Sequence, residues 1–255
     1  MSHVTDYSEV TEVPGDNTTL EAISMLYTRY TFAASFCDGK DLLEVGCGTG
    51  VGLGYLAERA SNVVGADYTQ SLLARAQRRH GSRFPLVRLD ACVLPFRAGS
   101  FDVVVLFEAI YYLSEPGRFM DECRRVLRGG GTLVICSANC ERRGFRPSPH
   151  AISYFSAEQL QAMLKEHGFQ ASTYAAFPVS TGVRRSALDG VRWLARSLRL
   201  TKGMKILLKR VLFGRSRAFP SEVTHGMADV GELVPLQPET SLADFSVVYA
   251  VGRLP

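Results

Sequence analysis

Short apolar runs alternate with amphipathic stretches along most of the chain. Asp41–Val45, Asn62–Ala66, Pro85–Leu89, Phe101–Phe107 and Thr132–Ser137 read as strands, each apolar and closed by a polar or glycine-rich turn. The valines of Phe101–Phe107 predict burial on both faces. Between these runs, apolar residues recur at three- and four-residue steps. They predict helices from Thr18 or Thr19 to about Cys37, over Val51–Ala60, from Ser71 to about His80, from about Gly117 to Leu127 and over Ser156–His167. The ends are marked as well. Thr18 or Thr19 offers a cap, Ser156 with Gln159 a capping box, and Gly168 a stop. Phe169–Phe177 and Phe245–Val251 predict two further strands.

Strands that alternate with helices need crossover connections, so the expected fold is α/β with a mostly parallel sheet and helices on both faces. Residues 1–17 are polar and predict a loose tail, and residues 18–255 predict one domain. At 46% hydrophobic and 21% charged residues, a core can form without staples. No apolar run has membrane-spanning length, and the N-terminus lacks the basic start and apolar stretch of a secretory signal. The six cysteines form no CxxC pair and no zinc set, which predicts reduced thiols in a cytoplasmic protein. No carboxylate cluster calls for a metal.

Charge divides the chain in two. Eleven of its 29 basic residues, but only Asp189 of its 25 acidic ones, fall between Thr181 and Phe219, so that segment is +10 and the remainder −6. Leu188, Val191, Leu194, Ala195 and Leu198 recur there at helical spacing between arginines. The segment 181–219 therefore predicts a basic helical insertion before the last strand. Its chemistry suits peripheral contact with an anionic membrane at the inner face, a lid, or an anionic acceptor. Nucleic acid is disfavoured, because Trp193 and Phe213 make no stacking platform.

The strongest chemical signal is Leu42-Leu43-Glu44-Val45-Gly46-Cys47-Gly48-Thr49-Gly50, which ends a strand and opens a helix. Glycines there allow a tight turn and close approach of a ligand to the backbone. In open α/β sheets, ligands settle beyond the carboxyl ends of the strands. Asp67 ends the next strand, where a carboxylate can accept ribose hydroxyls, and Asp90 ends the one after. A dinucleotide fingerprint would place its third glycine where Val51 stands, so the pattern points away from NAD.

Taken in order, Glu44–Gly50, Asp67, Asp90-Ala91 with Leu94-Pro95-Phe96, Ser100-Phe101-Asp102 and Arg125–Gly131 resemble the motifs of class I S-adenosylmethionine (SAM) dependent methyltransferases. The resemblance implies a Rossmann-like seven-stranded sheet whose last strand runs antiparallel, with SAM as cofactor. It further implies that Glu44, Gly46, Cys47, Gly48 and Gly50 line the methionine and ribose side. Asp67 and Tyr68 would then flank ribose and adenine, Asp90 and Ala91 the adenine edge, and Phe107 the methionine end. Arg29 and Tyr30 resemble a pair that precedes the domain in some small-molecule methyltransferases, and Arg29 would meet the SAM carboxylate.

Candidates for a catalytic base are Glu108, Tyr111, Tyr112 and His150, all after strands whose ends carry the site. The expected activity is methylation of a small molecule or saccharide in a biosynthetic pathway, at oxygen, with a lipid-linked glycan as a narrower version. The other classes are nucleic-acid or protein methylation and a SAM-binding partner that does not catalyse. The Asn-Pro-Pro-Tyr type motif of base methyltransferases is absent after Phe107, where Glu108-Ala109-Ile110 stands.

Overall fold

The computed structural model describes residues 6–179, 217–237 and 240–255. Its elements are β1 (Asn17–Thr18), α1 (Leu20–Ala34), β2 (Asp41–Val45), α2 (Leu53–Leu56), β3 (Asn62–Asp67), α3 (Gln70–His80), β4 (Leu86–Arg88), β5 (Phe101–Phe107), α4 (Pro116–Val126), β6 (Leu127–Ala138), α5 (Ala157–Glu166), β7 (Gln170–Pro178), β8 (Arg217–Ala218), β9 (Leu233–Pro235) and β10 (Phe245–Arg253). The caps read from sequence are formed. Thr19 Oγ1 accepts from the Ala22 amide at 3.1 Å, and Ser156 and Gln159 make a reciprocal capping box.

The main sheet has eight strands in the order β4-β3-β2-β5-β6-β10-β7-β9. Its first five strands are parallel, and β10 inserts antiparallel between β6 and β7. The antiparallel last strand is as the resemblance implied. The count of seven is corrected to eight, because the three-residue β9 adds to β7 at the edge. That strand is too short to announce itself by alternation. The fold is Rossmann-like, and its mixed sheet carries helices on both faces. The helical insertion expected over 181–219 lies outside the described residues, apart from β8 at its end.

Successive side chains of one strand serve opposite layers. Leu42, Val103 and Val105 pack with α1 and α2 residues such as Leu26, Tyr30 and Leu53. Leu43, Val104 and Leu106 pack with Phe119 and Met120 of α4 and Leu160 of α5. The helix expected over Val51–Ala60 shrinks to the single turn of α2, flanked by turns. Gly52 and Gly54 weaken the helix there. Arg128 bridges Asp102 at 2.7 Å and Asp41 at 2.9 Å, tying together the starts of β2 and β5. This pair of motif residues therefore fixes strand ends rather than lining a cavity.

Residues 6–17 are not the loose tail expected from their polarity. Asp6 caps a 3-10 turn over Tyr7–Glu9, the Tyr7 amide reaches Thr69 Oγ1 at 3.4 Å, and β1 pairs antiparallel with β8. Asp16 and Gly15 exchange backbone hydrogen bonds with Phe219 at 2.7 and 2.9 Å. The segment thus crosses the carboxyl ends of the parallel strands. No helix among the described residues is long and apolar enough to cross a membrane.

Candidate functional site

A cavity of about 530 Å³ opens beyond the carboxyl ends of β2–β6. That size is within the range of small-molecule and cofactor sites. Its floor is the turn after β2. Gly46 and Gly48 have φ of +74° and +56°, values that L side chains rarely adopt. A Cβ on Gly46 would also stand 3.3 Å from Ala109 Cβ, so glycine keeps the turn open to a ligand. Gly46, Cys47 and Gly48 line the cavity. Gly50 does not. Its φ of +72° sends its missing Cβ toward Leu53 and α3, and its carbonyl meets His80 Nε2 at 2.8 Å. It is a packing glycine.

Asp67 lines the cavity while it organises the turn. One carboxylate oxygen accepts from the Gly48 amide at 2.8 Å, the other from the Thr69 amide at 2.7 Å. Burial raises its pKa against those hydrogen bonds. Asp90 and Ala91 line the far end, and Asp90 Oδ1 accepts from the Cys92 amide at 2.9 Å. Tyr68, 38% exposed, also lines the cavity.

Glu44 stands behind the cavity wall rather than in it. It is 1% exposed, and Oε1 accepts from the Tyr30 hydroxyl at 2.6 Å while Oε2 has no partner. Burial pushes its pKa up to about 7 from 4.5, against the opposing effects of Tyr30 and Arg29. A carboxyl whose folded pKa is raised binds its proton more tightly when folded. Its contribution to stability therefore falls as pH rises from about 4.5 to about 7. Over that window the loss is about 3 kcal/mol. Glu44→Gln is expected to gain on the wild type in thermal unfolding as pH goes from 5 to 8. Parallel Tm curves for the two proteins would refute this.

Arg29 and Tyr30, both buried on α1, line the cavity. Arg29 forms an ion pair with Glu12, and its Nε has no partner. Burial opposes its charge, but Glu12 and nearby anionic groups raise its pKa above the ordinary value, so it stays protonated. Phe107 packs edge-on to Tyr30 with ring centres 5.2 Å apart.

Glu108 follows β5 with φ +50°, a left-handed conformation that is uncommon outside glycine. This backbone turns its carboxylate across the strand ends. Oε2 accepts from the Tyr111 hydroxyl at 3.0 Å and from the Ala138 amide at 3.1 Å. Burial raises its pKa. Burial also raises the pKa of Tyr111, with the Glu108 charge adding to it, so that phenol remains a donor and is poorly suited to act as a base. Tyr111 stacks on Tyr154 at 4.5 Å, and Tyr112 packs against Tyr7 at 5.0 Å. Of the expected catalytic residues, His150 does not line the cavity. It packs edge-on to Tyr7 instead, ring centres 6.4 Å apart.

Sequence reasoning missed Tyr7, Thr11, Glu12 and Arg142, which all line the cavity. The first three sit in the polar stretch of residues 6–17. Their only local signal is an aromatic residue near the start of it. All six cysteines are free, and all but Cys140 are buried.

Residues 43–135 match the model of a methyltransferase domain. A probable SAM-dependent methyltransferase of Mycobacterium tuberculosis is 34% identical over 146 residues, 55% of this chain and 52% of the relative. The chain thus spans about half the length of that relative. A ubiquinone biosynthesis O-methyltransferase of Methylococcus capsulatus is 26% identical over 182 residues, 69% of this chain and 73% of the relative. In structure, a SAM-dependent methyltransferase of Mesorhizobium loti superimposes with TM-score 0.57 at 15% identity, covering 92% of this chain and 99% of the other. That likeness speaks for the fold. Domain model, motif order and sheet topology agree: the chain carries a class I SAM-dependent methyltransferase domain.

Proposed function

We propose that the protein transfers a methyl group from SAM to an oxygen of a small-molecule or saccharide acceptor. The observation that carries this reading is one continuous cavity. It is lined by the glycine turn, Asp67 and Asp90 after β2, β3 and β4, and by Glu108, Tyr111 and Tyr112 after β5. The cofactor fits the residues present. Gly46 and Gly48 leave room at the turn, and the carboxylates of Asp67 and Asp90, both lining the cavity, suit the hydroxyl and amino groups of a nucleoside. Arg29 supplies a protonated guanidinium for a carboxylate, in competition with Glu12. When bound, SAM supplies a methyl carbon made electrophilic by the sulfonium charge.

The chain's own part is alignment, exclusion of water and movement of one proton. Tyr111 and Tyr112, which follow β5 beside Glu108, wall the acceptor side against water, and Tyr7 packs on Tyr112. Glu108, its pKa raised by burial, receives the proton of the acceptor hydroxyl. Tyr111 and the Ala138 amide hold that carboxylate in place. The relative named for O-methylation in ubiquinone biosynthesis supports oxygen as the acceptor atom. The narrower reading, an acceptor presented at an anionic membrane surface, rests on the basic pattern of 181–219 alone.

Isothermal titration of the protein with SAM, with NAD and with SAM on Asp67→Ala tests the cofactor reading. SAM is expected to bind and NAD not. Asp67→Ala should weaken SAM by about a hundredfold, because two hydrogen bonds to a charged group are lost from the turn together with any made to the ligand. Absence of SAM binding by the folded protein would sink the proposal.

A further inference from the structure

Arg142 is the second arginine of the cavity, and the two differ in one respect. Arg29 is neutralised by Glu12, whereas Arg142 has no carboxylate partner among the described residues. Among the described residues its Nε is buried without a hydrogen bond, and its guanidinium carbon stands 5.9 Å from the centroid of the Phe145 ring. A buried guanidinium nitrogen left in this state is costly, and an anionic ligand in the cavity would relieve it.

The residue is held in place by the fold. Asn139, fully buried at the end of β6, donates through Nδ2 to the carbonyls of Leu242 at 2.7 Å and Phe245 at 2.8 Å. Its Oδ1 accepts from the Glu141 amide at 3.0 Å, and the Arg143 amide bonds to the Ala243 carbonyl at 3.0 Å. The turn that carries Arg142 is thereby fastened to the start of β10, where Ser246 and Val247 also line the cavity.

Its position separates it from the cofactor end. The glycine turn follows β2, and Asp67 and Asp90 follow β3 and β4, whereas Arg142 follows β6, beyond β5 and Glu108. Glu108, Tyr111 and Tyr112 follow β5, the neighbour of β6 in the sheet, and line the same cavity. We infer that Arg142 binds an anionic group on the acceptor, and that the acceptor is a planar, anionic hydroxy compound of the carboxylated-phenol type. Flat aromatic surface suits Tyr111 and Tyr112, the hydroxyl faces Glu108, and the carboxylate pairs with Arg142. This deepens the proposed methyl transfer and rests on it.

The test measures binding rather than turnover. The protein is saturated with S-adenosylhomocysteine and titrated with 4-hydroxybenzoate and 4-hydroxycinnamate, each against its methyl ester. These span two separations between hydroxyl and anion. At least one acid is expected to bind about tenfold more tightly than its ester. Arg142→Gln should erase that preference by weakening the acid alone, Arg142→Lys should restore part of it, and SAM affinity should be unchanged in both. Equal binding of acids and esters, or binding of neither, overturns the inference. So does a loss of SAM affinity in Arg142→Gln, which would reassign the residue to the cofactor. Failure of the wild type to bind SAM at all would instead strike the methyltransferase reading, so the two failures are distinguishable.

Discussion

Glu108→Gln is expected to lower kcat for methylation of a hydroxyl acceptor by about 10²–10⁴-fold, the range typical of a lost general base, while SAM binding is retained. Gln keeps the size of the side chain and one acceptor oxygen for Tyr111 or the Ala138 amide. What it loses is the capacity to take a proton. The pH profile separates this role from a structural one. A base must be deprotonated to act, so wild-type kcat should rise with pH through the Glu108 pKa, which burial has raised above 4.5. In Glu108→Gln that limb should vanish and the residual rate should be flat. An unchanged kcat, or a surviving limb at the same pH, would remove Glu108 from the mechanism.

Tyr111 provides the contrast. Its hydroxyl donates to Glu108, and its raised pKa keeps it protonated over the accessible pH range. It steadies the carboxylate. The strained backbone at Glu108 is the structural correlate of this arrangement, since a φ of +50° is maintained only where surrounding contacts enforce it. Those contacts are the Glu108 amide to the Cys136 carbonyl at 2.8 Å and the carboxylate to Ala138, both on β6.

What the sequence disclosed follows from how local its signals are. Asp67 ends a strand and Gly46, Gly48 and Glu108 follow one within three residues, so an apolar run followed by a polar or glycine break locates them. The same logic misplaced Gly50 and Glu44. Both belong to the motif in sequence, yet the turn directs one toward α3 and the strand's pleat buries the other behind the wall. Tyr7, Glu12 and Arg142 were illegible for a different reason. They reach the cavity through β1–β8 pairing and through Asn139, contacts that span from about 100 to 200 residues of sequence. Polarity predicted a solvated tail, and polar residues that line a cofactor-sized cavity look the same in sequence as polar residues in water.

Gly52→Ala is expected to destabilise the fold by about 3 kcal/mol or more, at the upper end of what overpacking a core costs, and to lower Tm by about 10 °C for a chain of this size. Gly52 has φ −100°, a conformation any residue adopts, so its glycine is required for space alone. An added Cβ would lie 1.8 Å from Tyr30 Cε1 and 2.1 Å from Tyr30 Cζ. The ring cannot retreat. It is 3% exposed, its hydroxyl is bound to Glu44 at 2.6 Å, and Phe107 stands against it. The clash should therefore displace a cavity-lining side chain as well, and SAM affinity should fall with stability. A double-mutant cycle isolates the cause. In a Tyr30→Ala background the ring is gone, and adding Gly52→Ala should cost less than about 1 kcal/mol. Simple additivity of the two changes would show that Gly52 is needed for some reason other than the ring it faces.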